Sequence, residues 1–216
     1  MTRLAFIHTA PWHAERFRDL AQQRLQHWSS YAVVDESLLL DTIKSGEVSP
    51  QTVNRLTGYV LAAADAGASA VVVTCSTLGA AVDAMRPVVP VPLFRIDRGM
   101  AEAAVRQARR IGVLATLPTT LLPTTALLAQ EAEVAGAKCE ISQFLCEGAF
   151  AMLRAGDKAA HDNSVRNGFA TLAAGVDLVV LAQASMTDAV NGSARCPYLT
   201  SPEIGMDHIA RQLATV

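Results

Sequence analysis

With 216 residues and a formal net charge of −2, the chain has the length for one large α/β domain or two smaller lobes, and it lacks the basic balance of a nucleic-acid binder. Hydrophobic residues make up 51% but aromatics only 5%, an Ala- and Val-rich composition that suits helices packed on a parallel sheet. Met1-Thr2-Arg3-Leu4-Ala5-Phe6-Ile7 enters a strand pattern without a signal-peptide layout, and no apolar run is long enough to cross a bilayer. A cytoplasmic protein with no membrane or nucleic-acid partner is therefore expected.

Taken in chain order, strand-like and helix-like runs alternate. Leu4–Ile7 reads as a strand, Ala14–His27 as a helix and Tyr31–Val34 as an extended run leading to Asp35 and Glu36. Pro50–Ala66 reads as a helix with Ser49 as its N-cap and Gly67 as its stop. Val71–Thr74 is a short β-branched strand, followed by a short helix beginning near Ala80, and Val91–Arg95 is extended between prolines. Asp97–Arg109 is helical with Asp97 as its expected N-cap, Ile111–Ala115 is a strand, and Leu121–Ala135 is a helix ended by Gly136. Cys139–Leu145 is extended, Asp157–Ala174 is a helix ended by Gly175, and Leu178–Leu181 is a strand. Helices near Thr187–Ala194 and over Glu203–Leu213 complete the pattern. Alternating β and α elements imply parallel sheets.

Two segments recur. Gly67–Cys75 parallels Gly175–Gln183, and Leu4–Thr9 parallels Ile111–Thr116. The expected fold is α/β, with two pseudo-symmetric Rossmann-like (flavodoxin-like) lobes and a ligand cleft between them. The first lobe is expected to span residues 1–96 plus 200–216, and the second 97–199.

The run Val71-Val72-Val73-Thr74-Cys75-Ser76-Thr77-Leu78-Gly79 carries the chemistry. In open α/β sheets ligands bind beyond the carboxyl ends of strands. Backbone N–H groups there attract anions and favour thiolate at Cys75. Two readings fit: a reactive sulfur beside a carboxylate cradle, or a small buried hydrophobe at a strand end. His8 and Thr9 follow the first strand; the imidazole serves either as a base beside the thiol or as a loop cap. Cys139 reads as core and Glu147 as solvated, while Cys146 lies at a strand-to-helix junction with access to the cleft. His161-Asp162, adjacent in a helix, reads as a surface or hinge pair. Cys75, Cys139, Cys146 and Cys196 form no CxxC pair, the histidines show no HExxH spacing, and neither GxGxxG nor a P-loop occurs, so no metal or other cofactor is expected.

Thr74-Cys75-Ser76-Thr77, Pro92-Leu93-Phe94-Arg95-Ile96-Asp97, Ile111–Thr116 with Thr119-Thr120, and Asp177 through Met186, in that order and spacing, resemble the aspartate/glutamate/hydantoin racemase superfamily. Nearly the whole chain is covered, and Ala182-Gln183-Ala184-Ser185-Met186 marks an unassigned branch. The resemblance implies cofactor-independent chemistry at the carbon next to the carboxylate of a small amino or dicarboxylic acid. One cysteine per lobe would act on opposite faces of that carbon.

By the resemblance Cys75 is the first of these thiols. Ser76, Thr77, Thr116, Thr119 and Thr120, with Thr9, hold the carboxylate. Gln183 stands where the second thiol is implied, and an amide neither takes nor gives a proton at neutral pH. This departure breaks the two-thiol scheme and leaves Ser185 or His8 as replacement partners. One-base exchange or isomerisation, decarboxylation with Cys75 as proton donor, and nucleophilic addition as in maleate isomerases all stay open. An amino-acid racemase/isomerase-type enzyme leads; a non-catalytic small-carboxylate sensor is the rival. Apolar helices such as Pro50–Ala66 offer a homodimer surface.

Overall fold

A computed structural model describes residues 2–191 and 196–214. The chain divides into two compact units, Met1–Asp97 with Pro202–Val216, and Arg98–Ser201.

The first unit contains β1 (Thr2–His8), α1 (His13–Arg24), β2 (Trp28–Val34), α2 (Ser37–Ser45), α3 (Pro50–Asp65), β3 (Ala70–Val73), α4 (Gly79–Met85) and β4 (Leu93–Arg95). Its sheet runs β2-β1-β3-β4, parallel throughout, with Ile7 opposite Val73 and Val73 opposite Arg95. Period-two alternation divides β1 between two apolar layers. Ala5 and Ile7 join Leu38, Leu56, Val60, Val71 and Val73 on one face. Leu4 and Phe6 join Phe17, Leu20, Val72 and Ile96 on the other. As predicted, Ser49 caps α3, its hydroxyl accepting from the Thr52 N–H at 3.2 Å, and Gly67, at φ +82°, takes the left-handed conformation just after that helix.

The second unit contains α5 (Arg98–Gln107), β5 (Arg110–Ala115), α6 (Pro118–Val134), β6 (Glu140–Leu145), α7 (Ala149–Arg154), α8 (Lys158–Ala173), β7 (Leu178–Leu181), α9 (Thr187–Val190) and β8 (Tyr198–Thr200). Its sheet repeats the first, in the order β6-β5-β7-β8, again all parallel, with Leu114 opposite Leu181. The following helix, α10 (Ser201–Leu213), returns to the first unit, where Met206, Ile209 and Leu213 pack against Leu4 and Phe6.

The structure corrects several expectations. Helices α2 and α7 and strand β8 occupy stretches where the sequence predicts no element, β2 begins three residues before Tyr31, and α1 ends at Arg24 rather than His27. The predicted helix Thr187–Ala194 is helical to Val190, and its remainder from residue 192 lies outside the described residues. Asp97 stands directly before α5, and its fully buried carboxylate receives Arg95 Nε at 2.7 Å and Nη2 at 3.0 Å, a pairing the sequence reading did not expect. Nor is His161 on the surface; it is fully buried in α8, with Nδ1 2.8 Å from Asp162 Oδ1. Cys146 joins the core among Leu114, Val165 and Phe169, its thiol directed at Ser164 O and pushed up to about 11 by burial. Cys139 is only partly buried, its thiol 3.6 Å from Ala108 O, and Glu147 is exposed as expected.

Candidate active site

In each unit the same two central strands deliver the polar residues to the carboxyl edge of the sheet. In the first unit Thr9 follows β1, and Thr74 and Cys75 follow β3. Cys75 keeps extended backbone (φ −100°, ψ 110°) before a 3₁₀ turn over Ser76–Leu78, closed by Leu78 N–H donating to Cys75 O at 3.0 Å. The tight turn gathers groups that favour a thiolate around the sulfur: the Thr9 and Thr77 hydroxyls and the N–H groups of Thr77 and Leu78. Desolvation pushes the thiol up, and those groups pull against it without overcoming it. At neutral pH Cys75 rests as a thiol. Donors favouring thiolate are in place as the sequence suggested, but desolvation outweighs them. Ser76 and Thr77 are buried in the turn.

His8 does not project from this edge. Its ring is fully buried, stacked on Phe6 at 5.6 Å and 11°, beside Phe17 and His13. Nδ1 lies 2.7 Å from Thr74 Oγ1, and that hydroxyl donates to Ile7 O at 3.3 Å. A hydroxyl hydrogen given to the carbonyl makes Nδ1–H the donor to Thr74; in either tautomer Nε2 is buried with no partner among the described residues. Burial, with the neighbouring His13, lowers the His8 pKa to about 4. It is an uncharged pin on the strand end that bears Cys75.

Arg95 supports the same turn from below, and sequence reading gave it no role. Besides Asp97 it donates Nη1 to Asp83 Oδ2 at 2.7 Å. Its guanidinium lies where a Cβ on Gly79, the first residue of α4, would come within 2.1 Å of Nη2. A signal existed in the spacing, because residues two apart at a strand end share a side. Arg95 and Asp97 are such a pair.

In the second unit Thr116 follows β5, and Ala182 and Gln183 follow β7. Gln183 is extended (φ −134°, ψ 135°) before a 3₁₀ turn over Ala184–Met186, with Met186 N–H donating to Gln183 O at 3.2 Å. Its Oε1 accepts from Thr116 N at 2.7 Å and from Thr116 Oγ1 at 3.0 Å. Thr120 is buried in the first turn of α6, and Thr119 Oγ1 beside it is buried with no partner among the described residues. Ser185 is half-buried in the turn. Cys196 is half-buried, its thiol 3.9 Å from Val176 O. Among the described residues no group of three or more His, Cys, Asp or Glu is gathered as a metal ion requires. No described helix is long and apolar enough to cross a membrane.

The family model for Asp/Glu/hydantoin racemases matches residues 14–209. The chain belongs to that family. Membership makes it a racemase-type enzyme, an isomerase, on a two-lobed α/β fold. Glutamate racemase from Francisella tularensis in complex with D-glutamate superposes with a TM-score of 0.77 at 12% identity, covering 99% of this chain and 81% of that one. Allantoin racemase from Klebsiella pneumoniae gives 0.70 at 16% identity over 100% and 88%. An aspartate racemase homologue from Pyrococcus horikoshii gives 0.69 at 17% over the full length of both. At such identities these likenesses show the fold alone. A search of curated protein sequences returned no match. The racemase fold thus places Cys75, Ser76, Thr77 and Thr9 together in the first unit, and Thr116, Thr119, Thr120, Gln183 and Ser185 at the corresponding edge of the second.

Proposed function

We propose that this racemase-family enzyme exchanges the proton on the carbon next to the carboxylate of a small amino or dicarboxylic acid, with Cys75 as the proton-transfer group and no cofactor. The observation that carries this reading is the sulfur's setting, a half-buried thiol at the carboxyl end of β3 that opens a 3₁₀ turn, with the donors of Thr9, Thr77 and Leu78 around it. The reactive form is the minority thiolate, formed when Cys75 gives its proton to water before substrate binds; those donors stabilise it, and burial makes the thiol a ready proton donor in the return step. In the forward step the C–H proton passes to Sγ and its electron pair delocalises into the adjacent carboxylate. The reverse transfer restores the C–H bond. Ser76, buried in the turn beside Cys75, supplies a neutral donor to a carboxylate oxygen, whereas Thr116 in the second unit already gives both its donors to Gln183 Oε1. His8 acts through Thr74 as a positioning residue, because its ring is buried and uncharged.

The test is proton NMR in deuterated water with aspartate, glutamate, allantoin, hydantoins, maleate and substituted malonates. Wild type is expected to incorporate deuterium into, or isomerise, at least one of them, and Cys75→Ala to lose about 10²–10⁴-fold of that rate. Equal rates in the two proteins, or no reaction across the panel, would overturn the reading.

A further inference from the structure

Helix α4 follows the Cys75 turn without a break: the 3₁₀ turn ends at Leu78, and Gly79 opens the helix. Gly79 N–H donates to Ser76 O and so closes the turn. Whatever fixes the first turn of α4 therefore also fixes the Thr77 and Leu78 N–H groups around the Cys75 sulfur.

Arg95 is placed to do this. It lies opposite Val73, and Ile96 N–H donates to Val73 O at 3.2 Å, which keeps β4 in register with β3 up to the turn. Its side chain shares a face with Leu93. Leu93 and Val73 belong to the layer that Leu78, Val82 and Met85 complete, and Cys75 packs against it. The buried guanidinium divides its fork between two carboxylates. Nε and Nη2 reach Asp97 at 2.7 and 3.0 Å, and Nη1 reaches Asp83 Oδ2, one turn into α4, at 2.7 Å. Asp83 also accepts from Arg86 Nη2 at 2.9 Å, and Arg86 Nε donates to Leu93 O at 3.1 Å. Both ends of α4 are thus tied to β4. The approach is so close that Gly79 admits no side chain, because a Cβ there would stand 2.1 Å from Arg95 Nη2. The formal charges of two arginines and two aspartates cancel, and the influences on the Cys75 thiol are burial, hydroxyls and backbone N–H groups rather than charges. What the cluster supplies is position.

We infer that Arg95 is a positioning residue for the reaction at Cys75: by clamping Asp83 and Asp97 across Gly79, it holds the donors of the turn on the sulfur. The inference rests on the role proposed for Cys75 and adds the group that sets the sulfur's hold on its proton from outside the turn. An arginine that only stabilised the fold would act differently. Loosening the fold wets the sulfur and eases its ionisation, whereas withdrawing the donors hinders it. The two roles move the thiol in opposite directions.

Two variants separate them. Arg95→Lys keeps a cation for the buried Asp97 but loses the planar fork that also reaches Asp83. Asp83→Ala leaves the Arg95–Asp97 pair intact and releases α4. Alkylation by iodoacetamide is followed across pH in each, as the difference from the same variant carrying Cys75→Ser, with circular dichroism as the check on folding. The Cys75 midpoint should rise by about one pH unit above that of the unaltered chain, as expected for a thiolate that loses one donor. In the Cys75-dependent deuterium exchange, kcat/KM at pH 7 should fall about tenfold and recover as the pH passes the new midpoint. An unmoved midpoint in Asp83→Ala, or one that falls with faster alkylation, overturns the inference. A raised midpoint in a protein whose unaltered form exchanges no deuterium upholds Arg95 as the residue that holds the turn and removes the proposed function instead.

Discussion

Lowering the pH from 7 to 5 should destabilise the first unit through His8 and its neighbour His13, whose pKa values are both lowered to about 4, and a His8 variant isolates the His8 part. An unfolded imidazole titrates near 6.5, whereas burial among Phe6, Phe17 and His13 lowers the folded value to about 4. The unfolded chain therefore binds a proton first as the pH falls. The stabilisation due to the neutral ring is complete above 6.5 and is lost progressively down to 4. A shift of that size is worth about 3 kcal/mol over the whole window and about 2 kcal/mol by pH 5. His8→Asn removes the titration but keeps an amide N–H able to reach Thr74. Urea unfolding can be followed by tryptophan fluorescence, since Trp12 and Trp28, the chain's two tryptophans, both lie in the first unit. Between pH 7 and pH 5 the wild-type unfolding free energy should approach that of the variant by about 2 kcal/mol. Parallel curves over this range would refute the neutral, buried assignment.

Arg95→Met should cost about 3–5 kcal/mol, because Asp97 is fully buried and would keep no guanidinium; urea titration measures this, and combining Arg95→Met with Asp97→Asn should recover part of the loss. Gly205→Ala places a Cβ 2.0 Å from the Ile96 carbonyl oxygen, so α10 must shift off the sheet, with an expected loss of about 1–3 kcal/mol and a lower Tm by calorimetry. Alkylation of Cys75 by iodoacetamide, taken as the difference between wild type and Cys75→Ser, should show a midpoint above the free-thiol value of about 8.5. A midpoint below that value would mean that the four donors outweigh burial.

The elements most legible from sequence were those whose local chemistry and burial agree. Val71–Val73 and Leu178–Leu181 are short β-branched or aliphatic runs buried on both faces, and they became the central strands β3 and β7. Ser49-Pro50 announced α3 through a side-chain cap and a proline in its first turn. Helix α2 was hidden because Leu38-Leu39-Leu40 has no period, and β8 because three residues after a proline carry almost no pattern. At the site, the positions of Cys75, Thr77 and Thr116 were legible, whereas their partners depend on which strands neighbour each other. The direction of His8 was readable from parity: residues two apart on a strand share a face, which puts it with Phe6 in the aromatic layer. Gln183 gave up its orientation only with Thr116 beside it, 67 residues away in sequence.

The closing helix of the first unit has a consequence for biosynthesis. Met206, Ile209 and Leu213 complete the layer over Leu4, Phe6 and Phe17, and Glu203 and Asp207 pair with Arg16 and Arg24 at 2.8 and 2.7 Å. Between these partners lies the whole second unit, a continuous segment that needs no residue from elsewhere to finish its sheet. A ribosome delivering the chain from its amino end therefore releases the second-encoded unit in finished form first. The half that bears Cys75 waits with one face uncovered until about a hundred further residues have emerged, a span of roughly 5–20 s at typical elongation rates. That interval is when chaperone binding, or a stray contact with another nascent chain, would compete with α10 for the same apolar surface.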